Sequence, residues 1–514
     1  MPDWLKNTVF YEIYPQSFYD TNADGIGDIN GITEKLDYIK WLGCNALWIN
    51  PCFDSPFMDA GYDVRNYKKV APRYGSNRDL YRLFSEAHAK GMKVLLDLVP
   101  GHTSDQHAWF KKSSLPGQNA YSNRYIWTDS VWDYPDKYHC ISGRYSRNGN
   151  YMVNFFSSQP ALNYGFKKST RSWQLPCEHP DCKATRKALT DVMRFWLDRG
   201  CDGFRVDMAD SLVKNDDGDK SGTGAVWAEV RSMMDRDYPE AALVSEWSNP
   251  RLSLKYGFHC DFYLNHEGNG YHSLFRDNAP QGGQRSFFSS LGRGDISKFT
   301  NDYMPMYERT KDMGYISFLT CNHDTPRMSK DFDEAEMKLA YSFIFTMPGV
   351  PFLYYGDEIG MRYNGGLTSK EGGYERTGTR TPMQWNRDMN AGFSRAPSEK
   401  LYLPVDTSAG APCAEAQSQE GGSLLNTVRS VIKLRHENAC MQAGGPLEIL
   451  YAEPHKYPFV FRRGNMLCAF NPSRSFVKAP VPSKGTVAFF AGGNAVLGES
   501  SIGLPPQSCV IVKQ

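Results

Sequence analysis

The sequence has no run of the roughly 18–20 apolar residues that a helix needs to cross a bilayer. It also has no excess of one charge, because 58 Lys and Arg residues stand against 57 Asp and Glu residues. Net charge therefore gives no basis for binding nucleic acid or an anionic membrane. The amino terminus lacks the basic stretch followed by an apolar run that marks a secretory signal. These absences predict a cytoplasmic protein whose partner is neither a membrane nor a nucleic acid.

What the chain does have is length: it contains 514 residues, 41% of them hydrophobic and 14% aromatic, enough for a large core and two or three domains. Its twelve cysteines are many for a cytosolic protein. Several fall in predicted core strands, where a reduced thiol behaves as a small hydrophobe, and we expect them to be free. Cys177 and Cys182, with His179 between them, are candidate zinc ligands, but their spacing is not a standard pair. We favour a loop with unpaired cysteines.

Eight short apolar runs predict β-strands, and helical patterns separate most of them. In the segment DLYRLFSEAHAKG, four apolar residues from Leu80 to Ala87 form one stripe, and Gly91 closes the helix. A strand and a helix repeated eight times predict an α/β fold, the (β/α)8 TIM barrel. The predicted strands are 8–13, 45–50, 93–99, 202–207, 242–246, 259–264, 316–321 and 351–355.

About a hundred residues separate His102 from the fourth predicted strand, more than one connection and one helix require. Segment 103–170 is rich in aromatic and turn residues and predicts an inserted irregular β-rich lobe after strand 3. After a predicted helix at 423–437, short alternating runs predict a C-terminal β-sandwich. The predicted domains are the catalytic barrel at 1–102 and 171–440, the lobe at 103–170 and the sandwich at 441–514.

Four of the apolar runs end in carboxylates or histidines: LLDLVPGH at 95–102, CDGFRVDMA at 201–209, ALVSEW at 242–247 and ISFLTCNHD at 316–324. In a parallel barrel both faces of each strand are buried, and the residues at the C-terminal strand ends line the active-site face. We therefore expect seven polar residues to converge on one pocket: Asp97, His102, Arg205, Asp207, Glu246, His323 and Asp324.

In order, spacing and residue type, these runs resemble the four signature regions of the α-amylase family of glycoside hydrolases, and the resemblance covers nearly the whole chain. It implies that Asp207 is the nucleophile, Glu246 the general acid/base and Asp324 a third carboxylate that binds substrate hydroxyls and stabilises the transition state. A retaining glycosidase needs one attacking carboxylate and a protonated carboxyl about 5–5.5 Å away. By the same resemblance, the substrate-binding residues include His102, Arg205 and His323.

We expect two neighbouring residues to shift the pKa values of Asp207 and Glu246. Arg205 lies two residues before Asp207 on a strand, so it points to the same face and would keep that carboxylate ionised. Trp247 follows Glu246 and would contribute to a drier surround, which raises the pKa of an acid.

The segment DTNADGIGD at 20–28 predicts a structural calcium or magnesium site. Alternating oxygen side chains suit a hard cation, and glycine permits the sharp turn of such a loop. Related α-glucosidases carry a similar loop after the first strand; the alternative is an Asp/Asn/Gly turn without metal. The family's other calcium site uses an Asn where this chain has Gly101, which argues against that second site. The expected ligands are the side chains of Asp20, Asn22, Asp24 and Asp28 and the carbonyl of Ile26.

Two further motifs resemble exo-acting members of the family, which act on chain ends. MDAGYDV at 58–64 resembles the segment in which Asp59 binds the distal hydroxyls of a terminal glucose and Tyr62 stacks on its ring. RTPMQW at 380–385 supplies Arg380, which the resemblance pairs with Asp59 to close the pocket behind the sugar. The alternative is that Asp59 and Arg380 form an ion pair on the surface.

The motifs of the sequence point to more than one substrate. SQPALNYG at 158–165 resembles a signature of oligo-1,6-glucosidases, but Ala161 replaces its acidic residue, and Met208 after the nucleophile matches no common linkage preference. NAGFSRAPSEKLYLPV at 390–405 resembles trehalose synthases, whereas VSEWSNP at 244–250 departs from their pattern. We predict a retaining exo-α-glucosidase whose partner is a short α-glucoside such as maltose or isomaltose. The alternatives are a trehalose synthase-like intramolecular α-glucosyl transferase and, more remotely, a non-catalytic binding relative.

Overall fold

The computed structural model describes residues 1–135, 137–278 and 283–514. Eight parallel strands form one sheet in the order β7-β6-β5-β4-β3-β2-β1-β8. A parallel bridge between Leu319, just after β7, and Phe352 of β8 joins its two ends. The (β/α)8 prediction is confirmed, and every strand lies within one residue of its predicted run. The strands are β1 Phe10–Ile13, β2 Ala46–Ile49, β3 Lys93–Leu98, β4 Gly203–Val206, β5 Ala242–Ser245, β6 Cys260–Phe262, β7 Tyr315–Ser317 and β8 Phe352–Tyr354.

Amphipathic helices cover the barrel. In α3 the predicted apolar stripe is buried, Ser76 and Asp79 form a capping box at its start, and Gly91 just beyond its end has a φ of 73°. In the described part of the chain, no helix combines the length and the apolar character needed to span a membrane. The helices are α1 Ile29–Glu34, α2 Leu36–Leu42, α3 Asn77–Ala89, α4 Ala108–Ser113, α5 Pro180–Leu197, α6 Ser221–Asp237, α7 Pro250–Ser253, α8 Gly270–Phe275, α9 Ile296–Thr310, α10 Glu334–Thr346, α11 Ala414–Gln419 and α12 Leu424–Glu437.

The segment between β3 and α5 is irregular. It contains α4 and one short antiparallel pair, Cys140–Ile141 with Tyr151–Met152. Aromatic rings form its core, with Phe110 5.0 Å from Tyr125 and 5.1 Å from Tyr151 between ring centroids. A bridge between His102 and Ala161 joins this segment to the end of β3, above the active-site face. The predicted domain boundaries stay predictions.

Two antiparallel sheets form the C-terminal part. The five-stranded sheet has the order β9-β10-β11-β16-β13 and the three-stranded sheet the order β12-β15-β14. Val460, Leu467 and Val512 of the first sheet pack against Ile502 and Leu504 of the second. These strands are β9 Glu448–Tyr451, β10 Phe459–Arg463, β11 Met466–Asn471, β12 Val477–Ala479, β13 Thr486–Ala491, β14 Val496–Leu497, β15 Ile502–Leu504 and β16 Ser508–Lys513.

Candidate active site

Polar residues at the C-terminal ends of β3, β4 and β5 surround one guanidinium group. Arg205 of β4 is completely buried. Its Nη1 lies 3.0 Å from Oδ1 of Asp97 and 3.1 Å from Oδ1 of Asp207, and its Nη2 lies 2.8 Å from Oε1 of Glu246. The other carboxylate oxygen of Glu246 accepts a hydrogen bond of 3.0 Å from the backbone N–H of Met208. The barrel therefore brings the predicted nucleophile and the predicted acid/base to a shared cation.

Three carboxylates form ion pairs with this one guanidinium group. Burial raises the pKa of Asp97 to about 6, although Arg205 opposes the shift. Burial and the Glu246 carboxylate raise the pKa of Asp207, again against Arg205. Arg205 contacts Asp207 as expected, but it does not by itself keep that group ionised, because it serves three acids at once. Asp97, Asp207 and Glu246 therefore share one compensating positive charge, and burial favours the neutral forms of Asp97 and Asp207.

Asp324, which follows β7, forms another wall of the site. Its Oδ1 accepts hydrogen bonds of 2.8 Å from Nη1 of Arg376 and 2.9 Å from Nη2 of Arg380. Burial alone would raise the pKa of Asp324, but the His323 imidazole and the two guanidinium groups hold this pKa well below its usual range. Asp324 therefore stays a carboxylate, whereas the pKa values of Asp97 and Asp207 are raised.

A pocket of about 200 Å³ opens between these walls. The hydroxyl of Tyr62 lies 2.6 Å from Nε2 of the buried His323. Both ring nitrogens of His102 are buried, and neither has a hydrogen-bond partner among the described residues. Burial lowers the pKa of His102 to about 4, so this histidine is neutral and leaves polar atoms for a ligand to satisfy. The lining residues are Asp59, Tyr62, His102, Phe155, Asp207, Met208, Glu246, Asp324 and Arg376.

Asp59 lies in the pocket wall, where burial raises its pKa to about 6. Its Oδ2 accepts a hydrogen bond of 2.7 Å from Nε2 of Gln159. The expected pair between Asp59 and Arg380 is not formed, because the Arg380 side chain is already used by Asp324. The nearest guanidinium to Asp59 is that of Arg376, whose Nη2 lies 3.8 Å from Oδ1. Arg376 therefore stands between the carboxylates of Asp59 and Asp324.

Two residues of the site were not predicted from the sequence: Arg376, which lines the pocket, and Gln159, which donates to Asp59. Gln159 lies within the motif SQPALNYG, and Arg376 precedes Arg380 by four residues, so a second arginine in that segment was the available signal. Trp247 was misplaced: its ring packs near those of Tyr256 and Phe258, at 6.3 Å between centroids in both cases, and it does not line the pocket. The apolar side chains that do line the pocket are Phe155 and Met208.

The loop 20–28 has the oxygen-rich composition that suits a hard cation. In the structure these oxygens accept from the loop's own backbone: Oδ1 of Asp20 accepts from the N–H of Ala23 at 2.8 Å, and Oδ1 of Asp24 accepts from the N–H of Ile26 at 2.9 Å. Asp28 caps α1 through the N–H of Gly31. No group of three or more His, Cys, Asp or Glu residues in the described ranges is arranged to hold a metal ion. The donors fit a cation in chemical kind, although Asn22 and Asp24 are exposed in the structure.

A lysine lies beside Gly101, where the family's second calcium site would begin. The carbonyl of Gly101 accepts a hydrogen bond of 2.8 Å from Nδ2 of Asn154, and Nζ of Lys214 donates to Oδ1 of Asn154 at 3.2 Å and to the carbonyl of Ser211 at 2.7 Å. Here a side-chain ammonium group joins the loop after β4 to the segment inserted after β3.

The cysteines form no disulfide. Cys182 is buried and Cys177 is partly buried, and both are free, as are the other ten. No metal-binding cluster around them is found in the parts of the chain that the structure describes. The expected loop is wrong for Cys182, which lies in the first turn of α5.

Comparison with known proteins agrees with this geometry. The model of the α-amylase catalytic domain matches residues 12–444. The trehalose synthase/amylase TreS of Mycolicibacterium smegmatis is 33% identical over 500 residues, which covers 89% of this chain and 80% of that protein. The oligo-1,6-glucosidase of Heyndrickxia coagulans is 30% identical over 560 residues, 94% of each chain.

Among solved structures, the trehalulose synthase MutB from Pseudomonas mesoacidophila MX-45 is similar over 100% of both chains, with a TM-score of 0.82 and 26% identity. The match to the catalytic-domain model spans most of the chain and includes all four signature runs. The chain belongs to the α-amylase family and is a glycoside hydrolase of that family.

Proposed function

We propose that this protein is a retaining, exo-acting α-glucosidase that releases glucose from the non-reducing end of short α-glucosides. The observation that carries the proposal is one small pocket that combines the carboxyl pair Asp207 and Glu246 with Asp59 and Arg376. Its volume of about 200 Å³ is below the roughly 300 Å³ at which ligand pockets usually begin. A pocket of this size suits one terminal sugar and not an internal stretch of a glucan chain.

The reaction follows from the arrangement of the acids. Asp207 attacks the anomeric carbon, and Glu246 gives its proton to the leaving oxygen, so the glycosidic bond breaks as the glucosyl–Asp207 ester forms. Glu246 then removes a proton from water, and the water oxygen displaces Asp207. In this mechanism Asp207 must start ionised and Glu246 protonated, and Arg205, 3.1 Å from Oδ1 of Asp207, favours the ionised form of the nucleophile. Because Arg205 binds both carboxyls, it also favours the short separation of a retaining enzyme.

Asp324 and Asp59 suit the hydroxyls of the terminal sugar. Asp324 is ionised and accepts from two guanidinium groups, and Asp59 is held by Gln159 beside Arg376. Carboxylates and guanidinium groups form strong charge-assisted hydrogen bonds to neutral hydroxyls. The unpartnered nitrogens of His102 add further polar atoms for the same ring.

A second candidate is intramolecular transfer, in which the retained sugar and not water attacks the glucosyl-enzyme. Two observations favour it: the relatives include a trehalose synthase/amylase at 33% identity, and the matching solved structures include a trehalulose synthase and an isomaltulose synthase in complex with its natural substrate sucrose. The pocket wall also carries the apolar side chains of Phe155 and Met208, which would shield the intermediate from water.

Product analysis separates the two candidates. We expect NMR during incubation with maltose, isomaltose, sucrose and trehalose to show α-glucose before mutarotation, since two displacements return the starting configuration. A new disaccharide without free glucose would instead establish the transferase. Initial β-glucose would contradict a retaining mechanism and thus the proposed roles of both acids.

We further propose that the loop 20–28 binds calcium or magnesium as a structural ion. Asp28 supports this, because burial raises its pKa, the neighbouring Asp20 raises it further, and a cation would relieve both effects. We expect calcium or magnesium, added after chelation, to raise Tm, because an ion that binds only the native state stabilises it by mass action. Asp24→Ala should remove that response while kcat stays nearly constant. An unchanged Tm in the wild type would identify the loop as an ordinary turn.

A further inference from the structure

The segment 369–376, which we name the strap, follows β8 and ends in the pocket. Its last residue, Arg376, lies 2.8 Å from Oδ1 of Asp324 and 3.8 Å from Oδ1 of Asp59. Nη2 of Arg376 also donates to the carbonyl of Gly372 at 2.9 Å. The position of this guanidinium therefore depends on the course of the strap backbone.

The backbone conformation of the strap is unusual. Glu371 and Tyr374 have φ values of 48° and 47°, a left-handed conformation that residues other than glycine seldom adopt. A Cβ atom on Gly372 would lie 2.9 Å from Cζ of Phe156 and 3.1 Å from the carbonyl oxygen of Met58, so the strap packs tightly against its neighbours. A backbone of this kind persists only where its surroundings hold it.

Residues from other parts of the barrel bind one side chain of the strap. The carboxylate of Glu371 is only 6% exposed, and its Oε1 accepts from Nη1 of Arg73 at 2.6 Å and from the Tyr402 hydroxyl at 2.8 Å. The Arg73 guanidinium stacks 3.5 Å from the ring centroid of Phe57 and donates to Oε1 of Gln16 at 3.2 Å. Arg73 lies between β2 and α3, so this ion pair ties the strap to a separate part of the active-site face.

We propose that Arg73 is a positioning residue: through its ion pair with Glu371 it holds the strap so that Arg376 stays beside Asp59 in the substrate pocket. This inference rests on the proposed function, in which that part of the pocket holds a terminal glucose. A guanidinium group paired with a buried carboxylate fixes direction as well as distance, whereas the ammonium group of lysine supplies mainly charge. Arg73 acts through Glu371 and Arg376 and not on the reacting atoms.

The first test measures KM and kcat of Arg73→Gln and Arg73→Lys on maltose and on an aryl α-glucoside. We expect Arg73→Gln to lower kcat/KM, mainly through KM, since a displacement of about 1 Å can cost up to about 100-fold. Arg73→Lys should recover part of the loss. The matched control is Arg65→Gln, which breaks the 2.7 Å ion pair with Asp54 beside the short antiparallel pair of Phe53–Asp54 with Asn66–Val70. It should leave KM unchanged, whatever its effect on Tm.

The second test is a double-mutant cycle. If Arg73 acts through Arg376, then Arg73→Gln should cost nothing further in an Arg376→Gln background. Losses that multiply would overturn the inference, because they would mean that Arg73 acts by another route.

Arg73→Gln leaves the buried Glu371 carboxylate without its cation and therefore risks misfolding. Tyr402→Phe avoids this, since it removes only the 2.8 Å hydrogen bond to Glu371, and it should raise KM by a smaller factor. Folded variants that all keep the wild-type KM would refute the role of Arg73. A wild type that neither hydrolyses nor transfers glucose from any of the four disaccharides would instead refute the proposed function.

Discussion

Replacing Asp207 by Asn is expected to abolish the turnover of an aryl α-glucoside, with a loss in kcat on the order of 10⁴-fold or more. The amide has the shape of the carboxylate but cannot form the glucosyl ester, so the chemistry is lost while the fold is kept. Asn can still accept a hydrogen bond from Arg205, which lies 3.1 Å from Oδ1 of Asp207. Steady-state kinetics and a thermal melt of the same preparation measure the two effects separately.

Glu246→Gln is the informative comparison. A general acid contributes about 10²–10⁴-fold, but an aryl leaving group needs little protonation. The loss in kcat/KM should therefore be small on the aryl α-glucoside and large on maltose, whose leaving sugar is a poor one. The value of kcat should fall on both substrates, because Glu246 also activates the water. Equal and small losses for Asp207→Asn and Glu246→Gln on both substrates would refute both assignments.

Asp59→Ala is expected to lower kcat/KM on maltose by roughly 30-fold to several thousandfold, which corresponds to about 2–5 kcal/mol of transition-state stabilisation. Asp59 is 6% exposed, accepts from Gln159 and lies beside Arg376. Its removal takes away hydrogen bonds to the terminal glucose and also one of the two carboxylates beside Arg376. Arg376 and Arg380 both keep Asp324 as a carboxylate partner, so the variant does not leave a guanidinium group unpaired.

The matched control is Asp54→Ala. Asp54 is similarly buried, at 5% exposure, and pairs with Arg65, but it does not line the pocket. Its loss should change Tm and leave kcat/KM nearly constant. A value of kcat/KM close to wild type for Asp59→Ala, or rapid loss of iodine staining with amylose, would show an open cleft that admits internal chain segments.

The fold was predictable because its signals are local in the chain. Apolar runs of four to six residues alternate with helical stripes such as Leu80 to Ala87, and burial on both faces selects the parallel barrel. The carboxyl pair was predictable for the same reason: Asp207 and Glu246 each directly follow a strand, and all strand ends meet at one face.

The partners of these residues were not predictable from the sequence. Arg205 and Glu246 meet across neighbouring strands, and Arg376 reaches Asp59 over 317 positions, from number 59 to number 376. Such contacts depend on distances of a few ångströms between elements that the barrel brings together. The RTPMQW motif identifies Arg380. It does not show whether Arg376 or Arg380 lies nearer to the carboxylate of Asp59.

By itself, the sequence determined the barrel, the order of its strands and the set of side chains at their ends, because these follow from periodicity and from residue type. Only the tertiary structure decided how one guanidinium charge is divided among Asp97, Asp207 and Glu246, and that Trp247 turns away from the pocket. Only the tertiary structure, too, placed Arg376 between two carboxylates. The physical reason is that charge sharing, burial and side-chain direction are set by neighbours remote in the chain.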